Sequence, residues 1–517
     1  MKKVLIILFL GIFLIGLVSS ADYYIDAVNG NDDTGDGSFS NPWQTLKMVS
    51  TYTTGAPAGH VNLQPGDTVY LMSGVYDQII TIGGHNYVAY FSVDGTAANP
   101  ITIKAYPGEH PILDSNYQGR VFHLEYSNYW VVDGLEVRNG WVKGIMLTQS
   151  NWVTITNVTV YDTDGDGGNN PAGIYIDLSY NVIVKDSTLY DNYEHTSLTN
   201  VDNAVNLVIF SDGAGEAQNG GNITIYNNLF YQTLPITDAH AGGCLKYKHA
   251  SRDPNSYFEV YNNTFINCAG LHTISSGTPN TYVHHNLIIE SESSGLKSRN
   301  SGGLTHQQNQ LFEYNTIYGV SGFYIDPELD YRNTVFPDDP QNITFRNNIV
   351  YDIRSSYDKE HALALVNAYI DQTQYDAIIP EMNYSNNCYY NPNTEVMFAV
   401  AGDVYTFVQW QVLEGMGYDF DSVVADPLFM STDPSSPNYL RPQSGSPCEG
   451  MGYYADQLPS ASDVNSDGVV NVVDLVLTTF WQGKIDSDLD WSWYDHLDVN
   501  LDGSVNWGDV IDVLGSI

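Results

Sequence analysis

Between Asn222 and Asn315 one short phrase returns four times, as NITIYNNLF, YFEVYNNTF, TYVHHNLII and QLFEYNTIY. The same phrase runs upstream through YWVVDGLEV, WVTITNVTV and NVIVKDSTL, and downstream through NITFRNNIV and MNYSNNCYY. Marked by one residue each, the series is Gly134, Val158, Ser187, Asn228, Asn263, Asn286, Asn315, Asn348 and Asn387, with gaps of 23 to 41 residues. A unit of about two dozen residues cannot bury its apolar face alone and must stack on its neighbours, which makes a solenoid. Stacking in parallel sets Asn on Asn, where side-chain amides can bond along a column. The Asn-Xaa-Thr sequons at Asn222, Asn262 and Asn342 are therefore read as buried ladder residues rather than glycan sites.

Each unit carries a second strand introduced by Gly, as in GIMLTQS, GIYIDLS, GCLKYKH, GLHTISS, GLKSRNS and GFYIDPE. Side chains alternate across a strand. Leu245, Leu271, Leu296 and Phe323 are thus expected to point inward, and Lys246, His272, Lys297 and Tyr324 outward on one shared face. Lys248 and Arg299 fall on the same face by the same count.

The ends differ from the repeat. Lys2 and Lys3 precede an apolar run from Val4 to Val18 and then Ser19, Ser20 and Ala21, so residues 1–21 read as a secretory signal peptide. A retained membrane anchor is the alternative; no other long apolar run exists, so no span is expected after cleavage. The chain is then secreted or held at the cell surface. Trp43, Leu46 and Val49 read as one face of a short helix that covers the open end of the solenoid, and Tyr405 to Gly415 as another before the last coil. The four cysteines, Cys244, Cys268, Cys388 and Cys448, allow three pairings or free buried thiols.

The opening YYIDAVNGND, PGDTVYLMSGVY, PITIKAYPGE and the closing VVADPLFMSTDPSSPNYLRPQSGSPCEGMG together resemble secreted proteins with the pectin-lyase-like right-handed parallel β-helix. That resemblance implies an all-β right-handed parallel β-helix over residues 22–457. It does not fix a reaction, because lyases, hydrolases, epimerases and binding proteins share the fold.

Residues 458–462 form a Ser/Pro/Ala linker, and 463–517 differ in composition. DVNSDGVVNVVD (463–474) and DVNLDGSVNWGD (498–509) place oxygen ligands at positions 1, 3, 5, 7, 9 and 12 and Gly at 6, the pattern of an EF-type calcium loop. The ligands are Asp463, Asn465, Asp467, Val469 through its carbonyl, Asn471 and Asp474, then Asp498, Asn500, Asp502, Ser504, Asn506 and Asp509. The duplicated loops resemble a small α-helical type I dockerin, which implies a cohesin-bearing scaffold or surface protein as partner. Val472-Val473 and Trp507-Gly508 depart from the Ser-Thr pairs common at dockerin contact positions, and a calcium-stabilised module without a partner is the alternative.

The formal net charge is −41, with 60 Asp and Glu against 19 Lys and Arg, which argues against nucleic acid as a partner. Against that background Lys246, Lys248, His249, Arg252, His272, Lys297 and Arg299 stand out as a basic cluster suited to an acidic polysaccharide. Such substrates invite β-elimination, in which a base removes the proton beside a carboxylate. A lysine serves if its pKa falls from about 10.4 towards 8, and a second cation some 7 Å away contributes on the order of 2 kcal/mol towards that fall.

Glu290-Ser-Glu292-Ser-Ser-Gly-Leu-Lys297 resembles a motif of the chondroitinase B and alginate lyase family. Asn267 and Glu292 each lie four residues before the inward Leu of their coils, Leu271 and Leu296, so they are expected to stack; the resemblance implies Asn267, Glu290 and Glu292 as calcium ligands and Lys297 as base. The family's Arg-His-Gly on the next coil is missing, so Arg299 or His272, with Lys246 and Lys248 nearby, would donate the proton or neutralise charge. Three other readings stay open: a non-catalytic glycan-binding or adhesin-type β-helix, a glycoside hydrolase, and an epimerase on the same fold. Asp162, Asp164 and Asp166 read as a solvated turn or a further calcium loop.

Overall fold

The computed structural model describes residues 20–165, 170–193, 204–211, 220–233, 243–249, 253, 255–268, 273–291, 294–299, 307–326, 341–353, 363–365, 381–400, 403–413, 419–436 and 438–455. Residues 1–19 of the expected signal peptide, the linker and both calcium loops lie outside the described residues. Among the described residues no helix is long and apolar enough to cross a membrane.

Among the described residues three sheets of 12, 12 and 13 strands lie between Asp22 and Val424, and the chain visits them in a repeating order. Trp130–Asp133 enters the first sheet, Glu136–Arg138 the second and Lys143–Thr148 the third. Val153–Thr156 then returns to the first sheet and pairs in parallel with Trp130–Asp133. That is one coil of a parallel β-helix. Alternation drives it: Val137, Val160, Leu189, Phe230 and Phe265 stack in register on the inner face of the second sheet. All five are 0% exposed.

The turn from first to second sheet is built by one residue in the left-handed region, among them Asn157, Asp186, Asn227, Asn262, Asn347 and Asn386. Asn and Asp tolerate that conformation because their short polar side chains bond locally. The next residue is the repeat marker, and the expected Asn column is present. The Nδ2 of Asn228, Asn263, Asn286 and Asn315 each donates to the Oδ1 of the next marker at 3.0 Å. Asn348 donates to Asn387 at 3.2 Å. The marker backbone N–H groups donate to the same oxygens at 2.9–3.1 Å. Upstream, Ser187 Oγ takes the N–H of Val158 at 3.1 Å. Downstream, Ser422 Oγ takes that of Asn387 at 2.7 Å and donates to the buried Asp419. Burial, offset by hydrogen bonds from Ser422, Tyr389 and Trp410, raises the Asp419 carboxyl pKa above the ordinary range.

The sequons do not lie in this column. Asn222, Asn262 and Asn342 occupy left-handed corners and are half-buried or exposed. The buried rung falls one residue later in the Asn262-Asn263 pair, so only Asn263 joins the ladder.

Both ends are covered. At the first, the short helix is a single 3₁₀ turn, Leu46–Met48, that buries Trp43, Leu46 and Val49 at 1–2% exposure. At the other, helix Phe407–Gln411 starts at a Thr406/Gln409 capping box and buries Trp410 completely. The cysteines pair as Cys244–Cys268, one coil apart, and Cys388–Cys448. The second bridge ties the closing segment to the outer side of the second sheet, beside Ile349 and Met451.

Candidate functional site

The outer face of the third sheet carries the basic residues, and backbone register decides which share a row. Tyr90, His123, Met146, Tyr175, Val208 and Lys246 stack on successive coils. Ser275, Lys297 and Tyr324 continue the row. The inner partners are Leu245, Ile274, Leu296 and Phe323, all 2% exposed or less.

Lys246, Lys297 and Tyr324 are therefore brought together as expected, and the Lys297 Nζ sits over the Tyr324 ring, 4.7 Å from its centroid. His272 is not in the row. It lies outside the described residues, as does Leu271, and the position read for it belongs to Ser275. Lys248 departs too: pairing shifts between Ile209 and Phe210, so Phe210 faces His249 and Lys248 is the extra residue of a bulge. Arg299 closes its strand opposite Asp326.

Nor is the row an open groove: Lys246 is 4% exposed, Ser275 2%, Lys297 3% and Tyr324 7%. The Lys297 strand is anchored from inside. Ser298 Oγ donates to Gln310 Oε1 at 2.5 Å, Gln307 Nε2 donates to Ser298 Oγ at 2.9 Å, and Gln310 Nε2 donates to the Thr278 carbonyl at 2.8 Å. These bonds join buried groups and hold the strand against rotation. At its start, a Cβ on Gly295 would meet Ile317 Cγ2 at 2.8 Å, so only glycine fits.

The expected metal ligands are rearranged. Register pairs Ile266 with Ile289, so Asn267 stacks on Glu290 at one corner, both in the left-handed region. Glu292, read as the partner of Asn267, lies outside the described residues. The distance from this corner to the next inward residue varies between coils, seven residues from Asn267 to Ile274 and six from Glu290 to Leu296, so equal spacing before Leu271 and Leu296 does not give equal register. Asn267 Nδ2 donates to the Gln232 carbonyl at 2.9 Å. Among the described residues no cluster of three or more His, Cys, Asp or Glu side chains could hold a metal. Asp164 is not solvated: it is 5% exposed and its Oδ1 accepts from Gly165 N at 2.7 Å. Asp166 is outside the described residues.

Along and beside the row the structure adds residues the sequence window does not flag. Lys143, which pairs with Ala172 and so lies outside the row, is 4% exposed, donates to the Asn170 carbonyl and lies 3.6 Å from the ring centroid of Tyr175, a row residue. His123 is held between Tyr87 and Tyr90, each 5.5 Å away, and its Nε2 lies 3.0 Å from Thr148 Oγ1. Burial, with Arg120 and His85, pushes its pKa down to about 3, so it is neutral. Only coil-by-coil register links His123 and Tyr175 to Lys297; no local motif does.

Residues 23–233 match the family described as "Pel9A-like, right handed beta helix region". Over 181 residues the chain is 25% identical to pectate lyase PEL9 of Emericella nidulans, an alignment that covers 31% of this chain. The chain spans about two-fifths, 39%, of the length of that relative. Among solved structures, a rhamnogalacturonan lyase is 15% identical with TM-score 0.47, covering 84% of this chain and 100% of its own. Pectate lyase Pel9A is 13% identical with TM-score 0.44, covering 84% and 92%. The coil order and the inward rows make the described residues a parallel β-helix, and residues 23–233 are similar to the right-handed β-helix region of that family.

Proposed function

We propose that this chain is an exported polysaccharide lyase that cleaves an acidic, uronate-containing glycan by β-elimination. The observation that carries the reading is the row Lys246, Ser275, Lys297 and Tyr324 on the outer face of the third sheet, two lysines two coils apart in a chain of net charge −41. The similarity to a pectate lyase supports the same class.

In this reading Lys297 Nζ, as the free amine, takes the proton from C5 of the uronate. The electron pair forms the C4–C5 double bond, the C4–O bond breaks, and the glycosidic oxygen leaves with a proton from an acid such as Arg299 or His272. Lys246, roughly 9.6 Å from Lys297 by coil spacing, attracts the carboxylate and disfavours a second positive charge. At an effective dielectric near 20 that repulsion is about 1.7 kcal/mol. Asn267, Glu290 and Glu292 would hold calcium, which neutralises the substrate carboxylate as charge builds on it. The C-terminal loops from Asp463 and Asp498 would bind further calcium and dock the enzyme on a cohesin-bearing partner.

Purified full-length protein is incubated with polygalacturonate, alginate and chondroitin sulfate, with and without calcium, and followed by absorbance of the unsaturated uronate. The expected result is product on at least one glycan, lost in Lys297→Ala and after chelation. Absence of product on all three, or an unimpaired Lys297→Ala variant, overturns the proposal; retention without product would assign a binding role instead.

A further inference from the structure

The corner between the third and first sheets carries a second column of left-handed residues: Tyr129, Trp152, Asn181, Asn222, Asn280, Asn309 and Asn342. Register places Tyr129, Trp152, Asn181 and Asn222 on successive coils and Asn280, Asn309 and Asn342 on three later ones, with Tyr257, which is not left-handed, on the coil between Asn222 and Asn280. Five of the seven are Asn, the residue type best suited to φ near +55°. Where they stack directly they form a side-chain ladder: Asn342 Nδ2 donates to Asn309 Oδ1 at 2.9 Å, Asn309 to Asn280 at 3.3 Å, and Asn222 to Asn181 at 3.1 Å.

The two exceptions are large aromatics, the residues least at home there. Tyr129 has φ 57° and Trp152 φ 55°. They stack with centroids 5.0 Å apart at 13°, yet Trp152 remains 50% exposed. Tyr129 covers one face of the indole. The next position in the column is the much shorter Asn181, so the opposite face is open. The rule of the ladder is that each amide donates to the preceding coil, and for Asn181 the preceding coil offers an indole with no acceptor. Its Nδ2 accordingly has no acceptor among the described residues. An open aromatic face lies next to an uncommitted amide donor, on a backbone that disfavours the aromatic.

We infer that Trp152 and Asn181 form a sugar-binding subsite for a neutral pyranose unit of a polysaccharide. The C–H face of the ring would lie on the indole, and a ring hydroxyl would accept from Asn181 Nδ2. A neutral unit is favoured because residues 92–96, 126–131, 149–154 and 178–183, which build this corner, contain no Lys or Arg, while Asp94 is bonded to Asn128 there at 2.8 Å. The subsite is separate from the lysine row, four to five coils or about 19–24 Å along the axis from Lys297, and it does not depend on whether that row is catalytic.

The test exploits the column itself. Trp152→Asn restores the residue type of the other rungs and gives Asn181 an acceptor, so this variant should melt at or above the wild-type temperature. Binding of the full-length chain to galactan, xylan and mannan is measured by affinity electrophoresis beside polygalacturonate. The expected result is retardation by at least one neutral glycan, weakened tenfold or more in Trp152→Asn, and largely kept in Trp152→Phe, with polygalacturonate binding unchanged by either. Equal retardation of wild type and Trp152→Asn, retardation by polygalacturonate alone, or no retardation at all overturns the subsite. A Trp152→Asn variant that melts well below wild type shows that the indole is structural and overturns it too.

Discussion

Replacing Asn286 by Ala removes the middle rung of the buried ladder. The Asn286 Oδ1 accepts from the backbone N–H of Asn263 at 3.1 Å and from its Nδ2 at 3.0 Å. The Asn286 Nδ2 faces the Val260 and His284 carbonyls at 2.9 Å each and Asn315 Oδ1 at 3.0 Å. Asn263, Asn286 and Asn315 are all 0% exposed, so water cannot replace what is lost. Alanine leaves the buried Asn263 backbone N–H without an acceptor and takes a donor from the Val260 and His284 carbonyls, while Asn263 Nδ2 keeps the Ile225 and Tyr261 carbonyls at 2.9 Å each. At about 1–3 kcal/mol for the stranded N–H, with a smaller contribution from the carbonyls, the cost is about 2–4 kcal/mol. Asn286→Ser should cost less, about 1–2 kcal/mol, because a hydroxyl can still take the Asn263 N–H as Ser187 takes that of Val158 at 3.1 Å. Urea unfolding gives the stability change, and amide hydrogen exchange at Asn263 reports the bond directly. A loss below about 1 kcal/mol for alanine, or undiminished protection of the Asn263 amide, refutes the assignment of register to this column.

Three further outcomes follow from groups already described. The His123 pKa of about 3 lies below that of an exposed imidazole, so the unfolded chain takes the proton first. Its contribution is complete above about pH 6.5 and is lost as pH falls towards 3, at up to about 1.4 kcal/mol per unit. His123→Gln should flatten the wild-type pH dependence of unfolding by up to one proton between pH 6 and 4; identical slopes would show that the imidazole is not buried neutral. The Cys244–Cys268 bridge closes a separation of 24 residues, so the double serine variant should lose about 3 kcal/mol in urea unfolding. If Lys297 acts as a free amine, the rate on the cleaved glycan should rise with pH, and a rate that falls above neutrality would remove it as the base.

The sequence shows the fold plainly because two signals agree. Strands alternate with period two, and each first-to-second-sheet turn has a fixed length, so Asn228 to Asn387 mark register without ambiguity. The turn from the second to the third sheet has no such rule. It takes 13 residues from Gln232 to Leu245, seven from Asn267 to Ile274 and six from Glu290 to Leu296. Gly270 looked like the start of a strand, but the strand begins at Ile274, which is why Ser275 stands where His272 was expected. The same variation hid the Asn267–Glu290 stack behind the Glu292 spacing. Burial was illegible for another reason: alternation tells which way Lys246 and Lys297 point, and not what covers them.

The Asn ladder has a direction. Each marker gives its hydrogens towards the C-terminal neighbour and receives from the N-terminal one, so a coil is electrostatically unfinished until its successor is laid down. The β-helix therefore grows as a polymer with a reactive end, and a truncation after any of these markers leaves a buried backbone N–H waiting for a monomer that never arrives. Ser422 and Asp419 act as the terminator: a hydroxyl takes the last N–H, and a buried carboxylate takes the hydroxyl proton, so that no further coil is called for.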